Sequence, residues 1–482
     1  MTDLKQKTIL GLFWSALERF GYTFIMFISN LFLARLLTPD DFGLIGMIMV
    51  FITISNVIVD SGFASALIQT KEIGNKDLST VFHINVILAI GLYIILYLSA
   101  PAIACFYHQD ALIDILRVVG IVLLFNAFSI VQIAKLKREL NFKLLSVVTV
   151  FSSLVGCGIG VYLAYCSFGV WALVFQNLMI SLIRSLILWI LSAWKPVFIF
   201  SLESFRKLFR FGAMILSSQL VDTIYTNVVS LIVGKAFSAK TLGVYTQART
   251  LENVPNYTLI TIVNQVIFPV FSKLNGEPEK FKNGMRKSVK ALVWVNFPLM
   301  SLLIVIAEPL FRFLYTDKWI EAVPLFQIAC AGGMMNCIVQ LNMMVLAASG
   351  KGYYYFISRL FRQLLGVLLI FVGLYFYGIW GLMYLGVGIA PYCFWFICVI
   401  YTKKVLDYGF KEQLADMLPA YLLSVLCGVC VYLLLKELNI SLILLLLAQI
   451  TFYIAMYLLF SKLFKLEAFT VYYTEVKRLL KK

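Results

Sequence analysis

Ten ionisable side chains stand inside long apolar runs of this sequence: Glu18, Arg19, Asp60, Arg117, Arg184, Asp222, Arg249, Glu252, Arg359 and Arg362. A charge at hydrocarbon depth costs roughly 3 kcal/mol or more unless it is paired or used, so each one is a functional candidate. Six are arginines, four are acids and none is lysine. Arginine keeps its charge when partly desolvated, and its planar guanidinium grips phosphate through two parallel hydrogen bonds. An arginine-biased interior therefore suits an anionic, phosphorylated cargo. The substrate-binding candidates are Arg19, Arg249, Glu18, Glu252, Arg184, Arg359 and Arg362. Glu252 follows Arg249 by three residues and so shares its helix face. Structural alternatives stand beside this reading. Arg359 and Arg362 sit near a helix end and can snorkel to headgroups. Arg117 and Arg184 can each pair with an acid to hold helices together. A transporter must also draw on an ion gradient or the membrane potential, and a partly buried carboxylate is the usual proton carrier. Asp222 and Asp60 are the foremost ion-coupling candidates, with Glu18 and Glu252 behind them; static pairing with a nearby arginine is the competing role.

The elements that hold these residues are membrane helices. The chain has 482 residues, 62% hydrophobic and 13% charged, with a mean hydropathy of +0.93. That composition matches the bilayer as solvent. About fourteen runs reach the ~20 residues a span needs. The first six cover 10–37, 42–68, 80–106, 113–135, 142–166 and 170–193. The next six cover 209–236, 242–270, 288–313, 322–348, 354–377 and 380–402. Two more cover 415–435 and 439–464.

Two segments 200 positions apart match each other. Leu33-Ala34-Arg35-Leu36-Leu37-Thr38-Pro39-Asp40-Asp41-Phe42-Gly43 aligns with Val233-Gly234-Lys235-Ala236-Phe237-Ser238-Ala239-Lys240-Thr241-Leu242-Gly243. Each has a basic residue closing a helix, a hydroxyl, a short polar turn, then an apolar residue and a glycine opening the next helix. Such a repeat marks secondary transporters, with the substrate path between the copies. The expected organisation is a six-helix bundle over 1–195, a second over 196–404, two extra helices over 405–466 and a cytoplasmic amphipathic tail over 467–482. Six spans per block is even, so the copies enter the membrane in one sense, related by an axis along its normal. In the tail, Phe469, Tyr472, Tyr473, Val476, Leu479 and Leu480 fall on one helical face. Lys477, Arg478, Lys481 and Lys482 surround the other; an interfacial helix or a frayed basic tail both fit.

Lysine and arginine concentrate in alternate loops, including Lys135, Lys137, Arg138 and Lys143, and the run from Lys273 to Lys290. The positive-inside rule then places both termini in the cytoplasm. The formal charge of +16 follows from that loop distribution and points to lipid headgroups rather than nucleic acid. The nine cysteines are scattered through apolar spans, and Cys427 and Cys430 have no nearby histidine. The two histidines, His83 and His108, have no ligand spacing. No metal and no bound cofactor is expected, and the first apolar run is too long for a cleavable signal.

The segment Leu33 to Gly43, followed by Asp60-Ser61-Gly62-Phe63 and Ala64 to Lys71, resembles the Wzx-type oligosaccharide flippases, near the colanic acid exporter branch. Similarity continues at Lys137-Arg138-Glu139-Leu140-Asn141-Phe142, at Phe268-Pro269 and at Asn296-Phe297-Pro298. The resemblance implies an all-α integral membrane fold of the MOP superfamily, two six-helix bundles in a V shape with two extra C-terminal helices. It implies a cargo of undecaprenyl-diphosphate-linked oligosaccharide, flipped from the cytoplasmic to the periplasmic leaflet of the bacterial inner membrane. It also implies work alongside the polymerase and chain-length regulator of the same pathway. Arg19 and Arg249 occupy places roughly comparable to cationic residues in the first helices of related flippases. A multidrug extrusion antiporter shares the fold, but a cation site calls for more acids than arginines. A membrane polysaccharide polymerase calls for a large outer loop, and the loops here are short.

Overall fold

A backbone that crosses lipid has no water to satisfy its amides, so each span must bond internally as a helix. The computed structural model describes residues 2–70, 72–192, 194–274, 276–435 and 441–470, and these are almost entirely α-helical, with no strand among them. Residues 471–482 of the expected amphipathic tail lie outside the described residues; Glu467 to Thr470 within it are helical.

The chain divides into two compact units, Met1–Thr246 and Gln247–Lys482. The first holds α1 (Thr2–Leu36), α2 (Pro39–Asp60), α3 (Phe63–Gln69), α4 (Asn75–Tyr107), α5 (Leu112–Val119), α6 (Val122–Arg138), α7 (Phe142–Tyr165), α8 (Val170–Leu191) and α9 (Leu202–Ala236). The long helix α10 (Ala239–Lys273) begins in the first unit and continues into the second. The second unit adds α11 (Pro278–Val305), α12 (Ala307–Tyr315), α13 (Ala322–Ala348), α14 (Gly352–Gly381), α15 (Ala390–Leu406), α16 (Phe410–Leu435) and α17 (Leu442–Leu463).

Eleven segments among the described residues are long and apolar enough to cross a membrane, so this is a multi-pass membrane protein. One of them, Gly352–Leu406, has 55 residues and would reach about 80 Å if straight, far beyond a bilayer. It does not run straight. Helical geometry breaks at Tyr377 and Gly378, where Gly378 has φ 58, and the chain folds back against α14 through a π-helical stretch, Leu382–Ile389. The turn is tight because Gly373 and Gly381 face each other: a Cβ on either would sit 2.1–2.2 Å from the other's carbonyl oxygen. Helices α1 and α10, at 35 residues each, also have the length to cross, but they carry the charged pairs Glu18–Arg19 and Arg249–Glu252.

In the first unit α1 packs along α7, α7 along α8, and α4 along α6. Gln176 of α8 is buried at the first junction, donating to Ser29 Oγ of α1 and Cys157 Sγ of α7, each at 3.2 Å. In the second unit α13 is the most enclosed of the spans, packed by α11 and α15, while α16 lies on α11 and α17 on α16.

The two copies of the repeat fold alike. Thr38 caps α2 by accepting from Asp41 N, and Asp41 returns a bond to Thr38 N at 2.9 Å. Ser238 caps α10 by accepting from Thr241 N at 3.1 Å. Burial matches position by position along 33–43 and 233–243, apart from Leu37 and Phe237. The copies also meet. A Cβ on Gly43 would stand 1.8 Å from the carbonyl oxygen of Ala239, and one on Gly243 1.8 Å from that of Pro39. Position 39 is the counterpart of 239, and 43 of 243, so the contact is reciprocal, as a local two-fold axis requires. Backbone sits on backbone there, with no flexible side chain to yield. Gly43→Ala and Gly243→Ala should each lower the thermal midpoint of the detergent-solubilised protein, by roughly the 1–3 kcal/mol of an overpacked contact. The double variant should fall short of the sum, because both changes strain one contact. Additive or neutral effects would mean that the contact does not hold the copies together.

Candidate functional site

The seam between α2 and α9 is closed by small residues at both ends. Gly43 meets the start of α10 at one end; at the other, a Cβ on Gly62 (φ +66) would lie 2.3 Å from the Gly212 carbonyl oxygen. Between these pinches the helices part around a cavity of about 450 Å³, lined by Thr53, Asn56, Val57 and Asp60 of α2 and by Gln219, Asp222 and Thr223 of α9. The two expected ion-coupling acids, Asp60 and Asp222, thus line one space. Asp60 also accepts from Ala64 N at 3.4 Å, at the start of α3.

From this cavity a hydrogen-bonded line runs into the first unit. Asn126 of α6 donates to Asn56 Oδ1 at 2.8 Å, and Arg184 of α8 donates through Nη2 to Asn126 Oδ1 at 2.8 Å. Glu18 and Tyr22 of α1 lie within electrostatic reach of Arg184, and Glu18 accepts from Thr149 Oγ1 of α7 at 3.2 Å. Four expected residues, Glu18, Asp60, Arg184 and Asp222, therefore belong to one polar track. Among the described residues no carboxylate forms an ion pair with Arg184, and its Nε is buried without a partner. A half-buried guanidinium with one amide oxygen as its hydrogen-bond partner retains most of its capacity to bind an anion. Arg19, next to Glu18, is exposed.

Arg249 is placed differently. Its Nη1 lies 2.8 Å from Glu252 Oε2, and the Glu252 side chain is fully buried. Asn256 donates to the other carboxylate oxygen and accepts from Cys337 Sγ at 3.3 Å. Gly333 of α13 makes room for the group: a Cβ there would come within 2.7 Å of both Glu252 and Asn256. This arrangement neutralises Arg249 and fastens α10 to α13. Arg359 and Arg362 are half-buried on one face of α14, close enough to repel each other. Arg117 lies over the Tyr97 ring, 4.4 Å from its centroid.

A second charged cluster ties α16 and the segment after α17 to α11. Arg286 grips Asp416 with two bonds of 2.8 and 2.9 Å, and Lys290 reaches both Asp416 at 3.3 Å and Glu467. Tyr408, in the turn between α15 and α16, donates to Asp416 at 2.8 Å; burial, with that bond, pushes its hydroxyl pKa up, so it remains a donor. Among the described residues, no three His, Cys, Asp or Glu side chains are grouped to hold a metal.

Asn56, Asn126, Thr149 and Asn256 were not singled out by charge, yet they connect the residues that were. The available signal was spacing. Asn56 precedes Asp60 by four, Asn256 follows Glu252 by four, and Gln219, Asp222 and Thr223 fall at i, i+3 and i+4, one helix face each.

This is the site of a helical membrane transporter fold. A family model described as "Polysaccharide biosynthesis protein" matches residues 32–324, and the chain belongs to that family. It is 28% identical over 356 residues to the teichuronic acid biosynthesis protein TuaB of Bacillus subtilis, covering 73% of each chain. It is 25% identical to the lipopolysaccharide biosynthesis protein WzxC of Escherichia coli, covering 87% of this chain and 86% of the other. Its fold matches that of the lipid II flippase MurJ in an inward closed conformation, with a TM-score of 0.76 at 18% identity, covering 94% of this chain and 98% of that one.

The buried pair makes a prediction that separates structure from transport. Arg249→Met leaves Glu252 buried and uncompensated, a change that typically costs about 3–5 kcal/mol. Arg249→Met with Glu252→Gln removes both charges and should recover much of that loss in a thermal melt of the purified protein. Equal destabilisation by the single and double variants would contradict a structural ion pair.

Proposed function

We propose that the protein flips polyprenyl-diphosphate-linked oligosaccharide repeat units from the cytoplasmic to the periplasmic leaflet of a bacterial inner membrane, for surface polysaccharide assembly. The observation that carries this reading is Arg184, a membrane-depth cation with no ion-pair partner among the described residues, hydrogen-bonded into a polar track that ends in an open cavity. The diphosphate needs a planar cationic clamp, the sugars need a polar recess, and the prenyl tail can stay in lipid. Family membership and the likeness to TuaB and WzxC support the same cargo class.

In this reading Arg184 takes the diphosphate, with Glu18 orienting it, and Arg19, Arg249, Arg359 and Arg362 supply further positive field along the path. Fourteen spans, counting α1 and α10 and the folded 55-residue run as two, put both termini on one side, and the basic inter-helix loops favour the cytoplasm. The six-helix blocks over 1–195 and 196–404 then rock about the repeat contact, and the helices over 405–466 are an appendage. No bond of the cargo changes, so the protein is a transporter rather than an enzyme. Its cycle is driven by a proton or sodium gradient or by the membrane potential. The pathway's polymerase and chain-length regulator are its functional partners. A multidrug antiporter would exploit the acids Asp60 and Asp222, but Arg184 on the same track opposes a cationic cargo.

In a strain lacking the gene, the completed lipid-linked repeat unit should accumulate, and the wild-type copy should clear it. Arg184→Ala, expressed at wild-type level, should slow clearance by roughly 10- to 100-fold, the range for losing a charge-assisted hydrogen bond. Arg184→Lys should restore part of it, since the charge returns without the planar fork. Raised drug sensitivity with no accumulated lipid would support the antiporter instead.

A further inference from the structure

We propose that the cavity where α11, α16 and the segment after α17 meet holds the headgroup of a phospholipid bearing a phosphate and a primary ammonium, of the phosphatidylethanolamine class. The inference needs only that the chain spans a membrane, and it stands apart from the cargo. The depth of the cavity is set by charge. In α11 the charged residues end at Lys290, in α16 they end at Asp416, and in α17 they begin at Lys462. The remainders of these helices, 291–305, 417–435 and 442–461, carry no charge. The three boundaries coincide in space, because Lys290, Asp416, Lys465 and Glu467 line one cavity of about 170 Å³. Charged and apolar stretches change over together where a bilayer has its headgroups. Trp294, also in the lining, is a residue type enriched at that level.

The lining carries both signs, two lysines and two carboxylates, so a headgroup with separated charges and no net charge suits it. Asp416 is already held by Arg286, Tyr408 and Lys290. Glu467 is 55% exposed and bonds Lys290 through Oε2 alone, which leaves Oε1 to accept. Among the described residues the exposed Lys465 ammonium has no hydrogen-bond or ion-pair partner. A further acceptor comes from the backbone. Pro419 stands inside α16 and has no N–H, so the Ala415 carbonyl lacks its helical donor; both residues line the cavity. A phosphate would take charge-assisted bonds from Lys290 and Lys465. A primary ammonium has three donors to offer Glu467 and the Ala415 carbonyl. A choline headgroup has no N–H to offer them, and a glycerol headgroup brings no cation to Glu467. The volume equals about six water molecules. It is well below the roughly 300–1,000 Å³ of pockets for larger ligands, so it suits a headgroup and not an oligosaccharide. Soluble phosphoethanolamine shares this chemistry; the position at the bilayer boundary assigns the site to the lipid.

The test strips the full chain of lipid in detergent and titrates it, by native mass spectrometry, with phosphatidylethanolamine, phosphatidylcholine, phosphatidylglycerol and soluble phosphoethanolamine. The wild type should prefer phosphatidylethanolamine to phosphatidylcholine by at least about tenfold, the range for a charge-assisted hydrogen bond. It should bind soluble phosphoethanolamine more weakly than the lipid. Glu467→Gln should cut the advantage over phosphatidylglycerol by at least about tenfold, partly by binding phosphatidylglycerol more tightly, a gain that misfolding cannot mimic. Lys465→Met should weaken phosphatidylethanolamine and phosphatidylglycerol together. A wild type that binds the three lipids equally, or prefers phosphatidylglycerol, overturns the proposal. So does a preference for phosphatidylethanolamine that survives both substitutions unchanged, since the headgroup would then sit elsewhere. Soluble phosphoethanolamine binding as tightly as the lipid overturns the assignment to a membrane lipid.

Discussion

An ionised side chain at membrane depth must be neutralised in place or reserved for a charged ligand, and this constraint sorts the interior of the protein. Arg249 is neutralised by a fully buried Glu252 that Asn256 also holds, and α13 carries a glycine where that group needs space. Arg117 is spread over an aromatic face. Arg184 has neither arrangement: one amide oxygen accepts from it, and Nε is left buried and unbonded. The same residue type is thus paired with a buried acid in one unit and held by one amide oxygen in the other. The difference lies in whether a carboxylate comes within one helical turn.

The hydrogen-bonded line from Arg184 ends at the α2–α9 seam, where Asn56 lines the cavity. Glycine contacts bound it, Gly43 against Ala239 at the start of α10 and Gly62 against Gly212 of α9, and close-packed interiors deform poorly. The cavity between them is therefore framed by stiff joints rather than by adaptable side chains. The Gly43 and Gly243 contacts are reciprocal, so enlarging either residue strains the same joint.

Much of this was legible in the sequence, and for local reasons. The repeat stood out because helix caps and tight turns demand particular residues at fixed offsets, and Thr38 and Ser238 take those capping roles. The charged residues stood out because hydrocarbon surroundings make any ion conspicuous. The pairings were not legible. Asn56 and Asn126 are neutral and ordinary in composition, and the bond between them joins residues 70 positions apart, which no local pattern encodes. Nor does the sequence distinguish Arg184 from Arg249; both are arginines in apolar helices, and only packing reveals that one has a buried acid beside it. Helix α9 carries the start of the second matching segment, yet it packs on α2, α3 and α4, where Gly212 lets its backbone approach Gly62.

The central proposal is that Arg184, which forms no ion pair among the described residues, binds a diphosphate. The most direct measurement is the affinity of the purified protein for sugarless polyprenyl diphosphate at several salt concentrations, wild type against Arg184→Gln. The account predicts at least about a tenfold weaker complex for the variant and a shallower salt dependence, since one charge-assisted contact is lost. Unchanged affinity with an unchanged salt slope would contradict it.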